Sequence, residues 1–469
     1  MSKKYQILIV LFVVLGLCTA NLRAARIITV DDDGPADFST IQAAVDDASD
    51  GDVVEVQPGR YTGPGNRDID LLNKAITVRS TNPGDFSVVA ATFIDCNGTE
   101  LDPHRGFDLS STQNECVLDG LTIWRGYGPN EDWDYGEASS GGAIHTYYSN
   151  PVIRNCLIVG NVAQYGGGIS WIRSSGVISN CIFEMNGAGD GGGVFCHAAE
   201  LIIEDCTFRH NFSDNGGGVF CYQSEPSIEN CLFQFNDAYD VGGGMCSWEA
   251  APEVSMCIFI GNSYGAYYNF MSESKITNCI FHSNYDLEDG GIIVSFGNAH
   301  ILYPAITMRN CILWNNTDEF EFRGCCKCGC QHIIAEFNIL KSDWQYFPWI
   351  RGKENITADP CFVDSMRGDY HLKSQAGRWN PVSEIWVKDD VTSPCIDTGD
   401  PMSPIGLEPF PNGGRINMGA YGGTAEASKS YFGGPVCEII IAGDVNGDCK
   451  VNFLDFRIMA LHWLKDNRQ

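Results

Sequence analysis

The sequence predicts an all-β solenoid, a stack of short parallel coils, and three observations predict it. Seven cysteines, Cys156, Cys181, Cys206, Cys231, Cys257, Cys279 and Cys311, recur at spacings of 25, 25, 25, 26, 22 and 32 residues. Each carries one local frame. An apolar residue stands three positions before it (Ile153, Ile178, Ile203, Ile228, Val254, Ile276, Met308) and another two after it (Ile158, Phe183, Phe208, Phe233, Phe259, Phe281, Leu313). Five positions after it stands an asparagine: Asn161, Asn186, Asn211, Asn236, Asn262, Asn284 or Asn316. A repeat that keeps position as well as composition is one supersecondary unit stacked on copies of itself. Secondly, the apolar stretches are short, β-branched and alternate every second residue, as in Ile228, Asn230 and Leu232 against Glu229, Cys231 and Phe233. That is strand periodicity, whereas helical repeats need longer 3.6-period segments in units of about 33 to 47 residues. Thirdly, glycine clusters (Gly166 to Gly168, Gly191 to Gly193, Gly216 to Gly218, Gly242 to Gly244, with pairs at Gly141 and Gly290) punctuate the units at one place. They supply corners. Apolar positions return after them at Ile144, Ile169, Val194, Val219 and Met245, so one coil holds at least two strands.

Stacked at about 4.8 Å per coil, equivalent residues fall over one another. The cysteine, isoleucine and phenylalanine positions are expected as inward ladders, and the asparagines as a corner ladder that satisfies polar groups otherwise buried. The run NCIFEMNGAGDGGGVF resembles the right-handed parallel β-helix repeat of pectin-lyase-like proteins, and the glycine-rich repeats of polymorphic outer-membrane proteins. The resemblance covers most of residues 27 to 425. It implies a right-handed parallel β-helix, a scaffold that hosts lyases, hydrolases, adhesins and passenger domains alike. Upstream, Ile41, Ala44, Val45 and Ala48 share one helical face after Ser39 or Thr40 as N-cap, predicting a helix that plugs the open end of the stack, with DVVEVQPGRY opening the first coil.

Residues 1–25 read as a signal peptide: Lys3 and Lys4, the apolar run ILIVLFVVLGL, then small residues. Export to the outside or the cell surface follows, and no later segment is apolar enough to span a bilayer. A formal net charge of -29 argues against nucleic acid and anionic lipid as partners and suits divalent cations or plain solubility.

Twenty-one cysteines in an exported chain ordinarily mean disulfides. The ladder cysteines are expected to stay reduced, because stacked side chains point the same way and a disulfide dihedral between them is strained. Cys196, Cys221 and Cys246 belong with them. GCCKCGCQH places Cys325, Cys326, Cys328, Cys330 and His332 within eight residues, as local disulfides or as a thiolate metal site. Cys361 and Cys395 are a further candidate pair.

The end of the chain has its own unit. GDVNGDCKVNFLDF sets Asp444, Asn446, Asp448, Asn452 and Asp455 at positions 1, 3, 5, 9 and 12 of a loop, with the Lys450 carbonyl at position 7. Oxygen ligands at this spacing wrap one Ca²⁺. A helix with an apolar face of Phe456, Met459, Ala460 and Trp463 is expected to follow. The unit resembles one half of a dockerin, the Ca²⁺-dependent module that attaches secreted carbohydrate-active proteins to a scaffold. Cys449 replaces the usual turn glycine and only one loop–helix is present, which puts docking in doubt; a Cys437–Cys449 disulfide is a candidate brace. The chain thus divides into residues 1–25, a β-helix with a C-terminal cap over 26–435, in which a last coil or two precede an irregular segment, and a Ca²⁺ unit over 436–469.

For function, the long loop GYGPNEDWDYGEASSGG offers Trp133 and Tyr135 for stacking on sugars, and Glu131, Asp132, Asp134 and Glu137 for a cation or a carboxylate pair. DPHRGF (Asp102, His104, Arg105) resembles the start of an alginate-epimerase motif without its closing aspartate, and is read as an ordinary coil segment. The expectation is an exported, non-catalytic protein that binds polysaccharide or serves in a surface assembly. The alternative is a polysaccharide lyase or glycoside hydrolase acting on acidic glycans, which requires convergent acidic and basic groups on one solvent face; a binder requires only an aromatic or polar strip.

Overall fold

Strand periodicity interrupted by corners makes each 25-residue unit wind round once. The protein is described by a computed structural model over residues 24–112, 115–129, 141–286, 292–296, 306–316, 322–324, 333–340, 350–432, 443–445 and 450–462. Three long parallel sheets form the walls of a tube. Sheet I has thirteen strands, from Ile27–Val30 to Ile350–Lys353; sheet II has eleven, from Gly59–Thr62 to Ile339–Leu340; sheet III has ten, from Ile69–Asp70 to Phe322–Gly324. A four-stranded sheet IV, Val162–Tyr165 to Asp237–Val241, lies between II and III in the central coils. One coil runs Ser175–Ser179, Ile182–Glu184, Gly187–Asp190 and Val194–His197 before Glu200–Glu204 opens the next.

The corners differ in chemistry. Between sheets I and II the chain turns on one residue in the left-handed region, Asn155, Asn180, Asp205, Asn230, Asn278 or Asn310, with φ between 49° and 57°, a conformation that asparagine and aspartate tolerate best after glycine. Before sheet III the first glycine of each cluster takes positive φ, as at Gly216 (65°). The second serves close approach: a Cβ on Gly217 would lie 2.5 Å from the Asp237 carbonyl oxygen and 2.6 Å from that of Gly243.

Inside the tube the expected ladders are present. Phe183, Phe208, Phe233, Phe259 and Phe281 stack with centroids 4.5 to 4.9 Å apart and planes within 7°. The asparagines form a continuous chain, in which both the backbone N–H and Nδ2 of Asn186 donate to Oδ1 of Asn211 at 3.0 Å, and those of Asn211 to Oδ1 of Asn236. The cysteines are free thiols. The N–H of Cys181 points at Sγ of Cys206 at 3.4 Å, and each Sγ faces a carbonyl oxygen. From Cys181 to Cys279 burial pushes the ladder thiols well above their ordinary range, so they act as small apolar fillers. Past Cys311 the ladder continues through Asn338, whose Oδ1 accepts from the Cys311 N–H at 2.8 Å.

Several expectations need correction. The helix Ile41–Asp47 does bury Ile41, Ala44 and Val45, but the Thr40 hydroxyl does not cap it; Oδ1 of Asn66, from the next coil, accepts from the Ile41 N–H at 2.9 Å. Ile27–Val30 already pairs with Val53–Val56, so the first coil opens before the helix. Cys361 and Cys395 are unbonded thiols. The C-terminal segment does not simply close the end: residues 361 to 420 lie back along the outer face of sheet II, where Tyr370, Leu372, Ile396 and Met418 cover the outward column Leu232, Ile258, Ile280, Ile312 and Ile339. Nδ2 of Asn278 donates to the carbonyls of Asn417 and Gly419, and Asn310 accepts from the Asp400 N–H at 2.6 Å. Outward aliphatics and corner asparagines are together the seat of this strap.

Candidate functional site

Because side chains alternate across a strand, each sheet III strand presents two residues inward and two outward. Val194 and Cys196 join the core, as do Val219 and Cys221. Cys246 is one position out of register with them, so it lies on the opposite face, paired with Phe220. Two outward columns result. The first runs Asp108, His145, Ser170, Phe195, Phe220, Cys246 and Tyr268; the second runs Ser110, Tyr147, Ile172, His197, Tyr222, Trp248 and Phe270.

The central coils of these columns build a second apolar layer outside the tube. Ile172, Phe195, Phe220 and Cys246 are buried under half-exposed Tyr147, Tyr165, Tyr222, Val241, Trp248 and Tyr268. Phe195 stacks on Phe220 with centroids 5.7 Å apart, His197 on Tyr222 at 5.0 Å, and Trp248 meets Phe270 at 4.8 Å. At the margin, where sheet IV meets the strip, Asp190 accepts from Nδ2 of Asn215 at 2.9 Å, and burial pushes its carboxyl up to about 6. His197 is buried to 5% exposure and its Nδ1 has no hydrogen-bond partner.

The head of the strip is polar. His104 lies between two carboxylates, Nδ1 at 2.6 Å from Asp68 and Nε2 at 3.3 Å from Asp102. The Arg105 N–H donates to Asp68 at 2.9 Å, and its buried guanidinium is 3.9 Å from Asp108. Burial opposes ionisation of Asp108, but hydrogen bonds from Ser110 and the charge of Arg105 outweigh it and hold the carboxyl below its usual range. Asp108, His145 and Ser170 occupy three successive rungs, with His145 Nδ1 2.7 Å from Ser170 Oγ. Burial, and then Arg105, push His145 down to about 4, so its imidazole is neutral at physiological pH. DPHRGF is, as expected, a coil segment, leading into the strand Phe107–Ser110; what the sequence did not reveal is that Asp68 and His145 meet it from neighbouring coils.

Trp133, Tyr135, Glu131, Asp132, Asp134 and Glu137 lie outside the described residues, but the anchors of their loop do not. The Tyr127 N–H donates to the His104 carbonyl at 2.7 Å, Gly128 is adjacent to Gly141, and Gly141 leads into the strand of His145. The loop therefore leaves and returns at the head of the strip. Cys325, Cys326, Cys328, Cys330 and His332 lie outside the described residues, as do Cys437 and Cys449. Of the loop near the C-terminus, Asn446 and Asp448 are likewise outside; Asp444 and Asp455 are buried, and Asp455 accepts from the Val445 and Asn452 N–H groups at 2.8 and 2.7 Å. Two buried carboxylates at opposite ends of one loop are a donor set that fits a hard cation, with the Lys450 carbonyl and Asn452 between them in sequence. The helix Phe453–His462 buries Ile458, which packs on Gly414, and leaves Phe456, Met459 and Ala460 exposed. The helix is present as expected, and Phe456, Met459 and Ala460 of its expected apolar face are exposed, while Trp463 lies outside the described residues.

Trp171 and Tyr267 lie in the core, while Trp248 and Tyr268 line the strip. The missed residues had a signal: at the even positions after each glycine cluster, His145, Phe195, Phe220 and Tyr147, Ile172, His197, Tyr222 are large or aromatic, Ser170 being the exception, where a solvated strand face is ordinarily small and polar.

Fold and site together define a right-handed parallel β-helix protein with an aromatic strip on one outer wall. Residues 81–233 match the family described as right handed beta helix region, and residues 268–399 match the family described as Disaggregatase related. Among solved structures the chain is similar to pectate lyase Pel9A, at 13% identity and a TM-score of 0.49 over 86% of this chain and 97% of that one. It is also similar to a pectin methylesterase from carrot, at 11% identity and a TM-score of 0.32 over 74% of this chain and 97% of that one. No curated protein matches the chain. Among the described residues no helix is long and apolar enough to cross a membrane.

Proposed function

We propose that the protein is an exported, cell-surface or extracellular β-helix that binds polysaccharide along the outer face of sheet III. The observation that carries this reading is the set of half-exposed rings on this face: Tyr222, Trp248 and Phe270 on three successive coils, Tyr268 on the strand of Phe270, and Tyr147 three coils before Tyr222. Tyrosine and tryptophan present an apolar face with a polar edge, the combination that a pyranose ring requires. The acidic loop near the C-terminus, held by Ca²⁺ through Asp444, Asn446, Asp448, Lys450, Asn452 and Asp455, serves as the attachment to a scaffold or surface protein. Binding is tested by retention of the purified chain in native gels containing polysaccharides, comparing wild type with Tyr222→Ala and Trp248→Ala; equal retention of all three refutes the reading.

A second reading is favoured by the convergence at the head of the strip. Asp68, Asp102, His104, Arg105 and Asp108 give the acidic and basic groups on one face that a lyase or glycoside hydrolase needs. New reducing ends or unsaturated products from acidic glycans, abolished by His104→Ala, support it; intact polymers after prolonged incubation refute it.

A further inference from the structure

Within the proposed binding reading, on which this inference rests, we infer that the central strip takes an uncharged polysaccharide, and that its rim of fixed negative charge excludes uronate-type polyanions. Three features carry it. The first is charge. In the segments that form the strip and its margin from the His197 coil onward, residues 187–197, 212–223, 237–249 and 263–271, there is no lysine or arginine, while the preceding coil ends in Arg173, which caps the head of this stretch against Tyr148 and whose charge acts on His197. The same segments carry Asp190, Asp214, Asp237, Asp240 and Glu249, of which all but Asp190 are exposed. A carboxylated chain laid here meets several like charges and no guanidinium fork, and like charges at close range cost affinity.

The second is the apolar floor. Phe195 and Phe220 are 1% exposed and stack in register beneath the half-exposed rings, so the upper rings are held in fixed orientation by a packed layer rather than free to turn. Such a rigid platform favours flat sugar faces at low ordering cost. The third is His197. It stands in the second column between Ile172 and Tyr222, buried, with Nδ1 lacking a partner. Its ring stacks on Tyr222 with centroids 5.0 Å apart and so holds one of the exposed platform rings in place. Burial also lowers the pKa of His197, so the group adds no positive charge for a carboxylate to seek.

The test uses the full-length protein in affinity gels and calorimetry with a neutral galactomannan or β-glucan, and with polygalacturonate and alginate, each with Ca²⁺ and with EDTA. The expected result is binding of a neutral polymer, weakened about tenfold or more by Trp248→Ala and by His197→Ala, with no binding of the polyanions in EDTA. Preferential binding of a polyanion in EDTA, lost on Trp248→Ala, overturns the inference while leaving the strip as a glycan site. Binding of no polymer sinks the reading beneath it. Asp214→Lys with Asp240→Lys, at exposed positions that leave the packing untouched, is expected to admit polygalacturonate; failure to do so in a folded, neutral-glycan-binding variant shows that the rim charge is not the filter.

Discussion

Replacing Asn211 by alanine tests the principle that holds the coils together. Asn211 is fully buried, and its side chain makes four hydrogen bonds: Oδ1 accepts from the N–H and Nδ2 of Asn186 at 3.0 Å, and Nδ2 donates to the Phe183 carbonyl at 3.0 Å and to Oδ1 of Asn236 at 2.9 Å. In the variant, Nδ2 of Asn186 keeps the Ile158 carbonyl and Oδ1 of Asn236 keeps the Asn211 N–H, but the Asn186 N–H is orphaned. One orphaned amide costs about 1–3 kcal/mol and each of the three further lost bonds about 1 kcal/mol, so a loss of about 4–6 kcal/mol is expected. Because each coil touches only its neighbours, the damage sits in the middle of the stack and lowers cooperativity as well as stability. Guanidinium unfolding followed by circular dichroism and tryptophan fluorescence measures both, with Ile202→Thr on the outer face of sheet I as a control near zero. A loss below about 1 kcal/mol for Asn211→Ala would mean that inward apolar packing, not the asparagine chain, carries the corner.

Gly217→Ala is expected to cost several kcal/mol, about 3 or more, in the same assay, since the added methyl meets backbone oxygens of two neighbouring segments; a loss under about 1 kcal/mol refutes the close-approach argument. Of the fourteen described cysteines thirteen are buried, so mapping of alkylated peptides by mass spectrometry in the native state should find only Cys361 among these, with the rest appearing on unfolding; rapid native labelling of Cys206 or Cys231 contradicts the ladder. Asp190 is held above the unfolded carboxylate value, to about 6, so its contribution is fully present below about pH 4 and is lost as pH rises through 6. Asp190→Asn should therefore match wild type in acid and exceed it by about 3 kcal/mol at pH 8; an unchanged pH profile removes the assignment. Asp455→Ala in the full chain should abolish Ca²⁺-dependent protection of the C-terminus from proteolysis, and titration calorimetry with unaltered Ca²⁺ affinity would show that the loop is not the site.

Most of the tube was legible because its determinants are periodic. The Cys–x–Phe–x–x–Asn frame alone places the inward ladders and the corner chain, since identical spacing forces identical residues into register. The left-handed residues before the seven cysteines, asparagine at five of them with Asp205 and Met256 at the others, were in plain view, yet the corners were assigned only to the glycine clusters and to the asparagines five positions after each cysteine. The strip on sheet III was missed for a different reason: Phe195 and Phe220 read as ordinary strand aromatics until the strand phase is known, and phase is set by which partner residue fills the core. Cys246 shows how fine the distinction is, as one inserted residue moves a thiol from the inside of the tube to the outside. The head of the strip was illegible because Asp68, His104 and His145 come from separate coils, brought together by spacings that only the closed turn defines. The strap over sheet II was hidden likewise, its partners being Asn278 and Asn417, far apart in the chain.

That strap gives the molecule a direction in time. The coils from Leu232 to Ile339 are complete in backbone pairing once their own residues have been made, but their outer flank stays greasy until Tyr370, Leu372, Ile396 and Met418 arrive. Chain growth thus leaves the outer flank of the later sheet II strands temporarily unsealed while the earlier coils are finished, and a chain interrupted near residue 355 would expose that apolar column. Pulling on the C-terminus would likewise have to peel the strap from the wall, breaking the Asn278 and Asn310 attachments, before any coil could unwind.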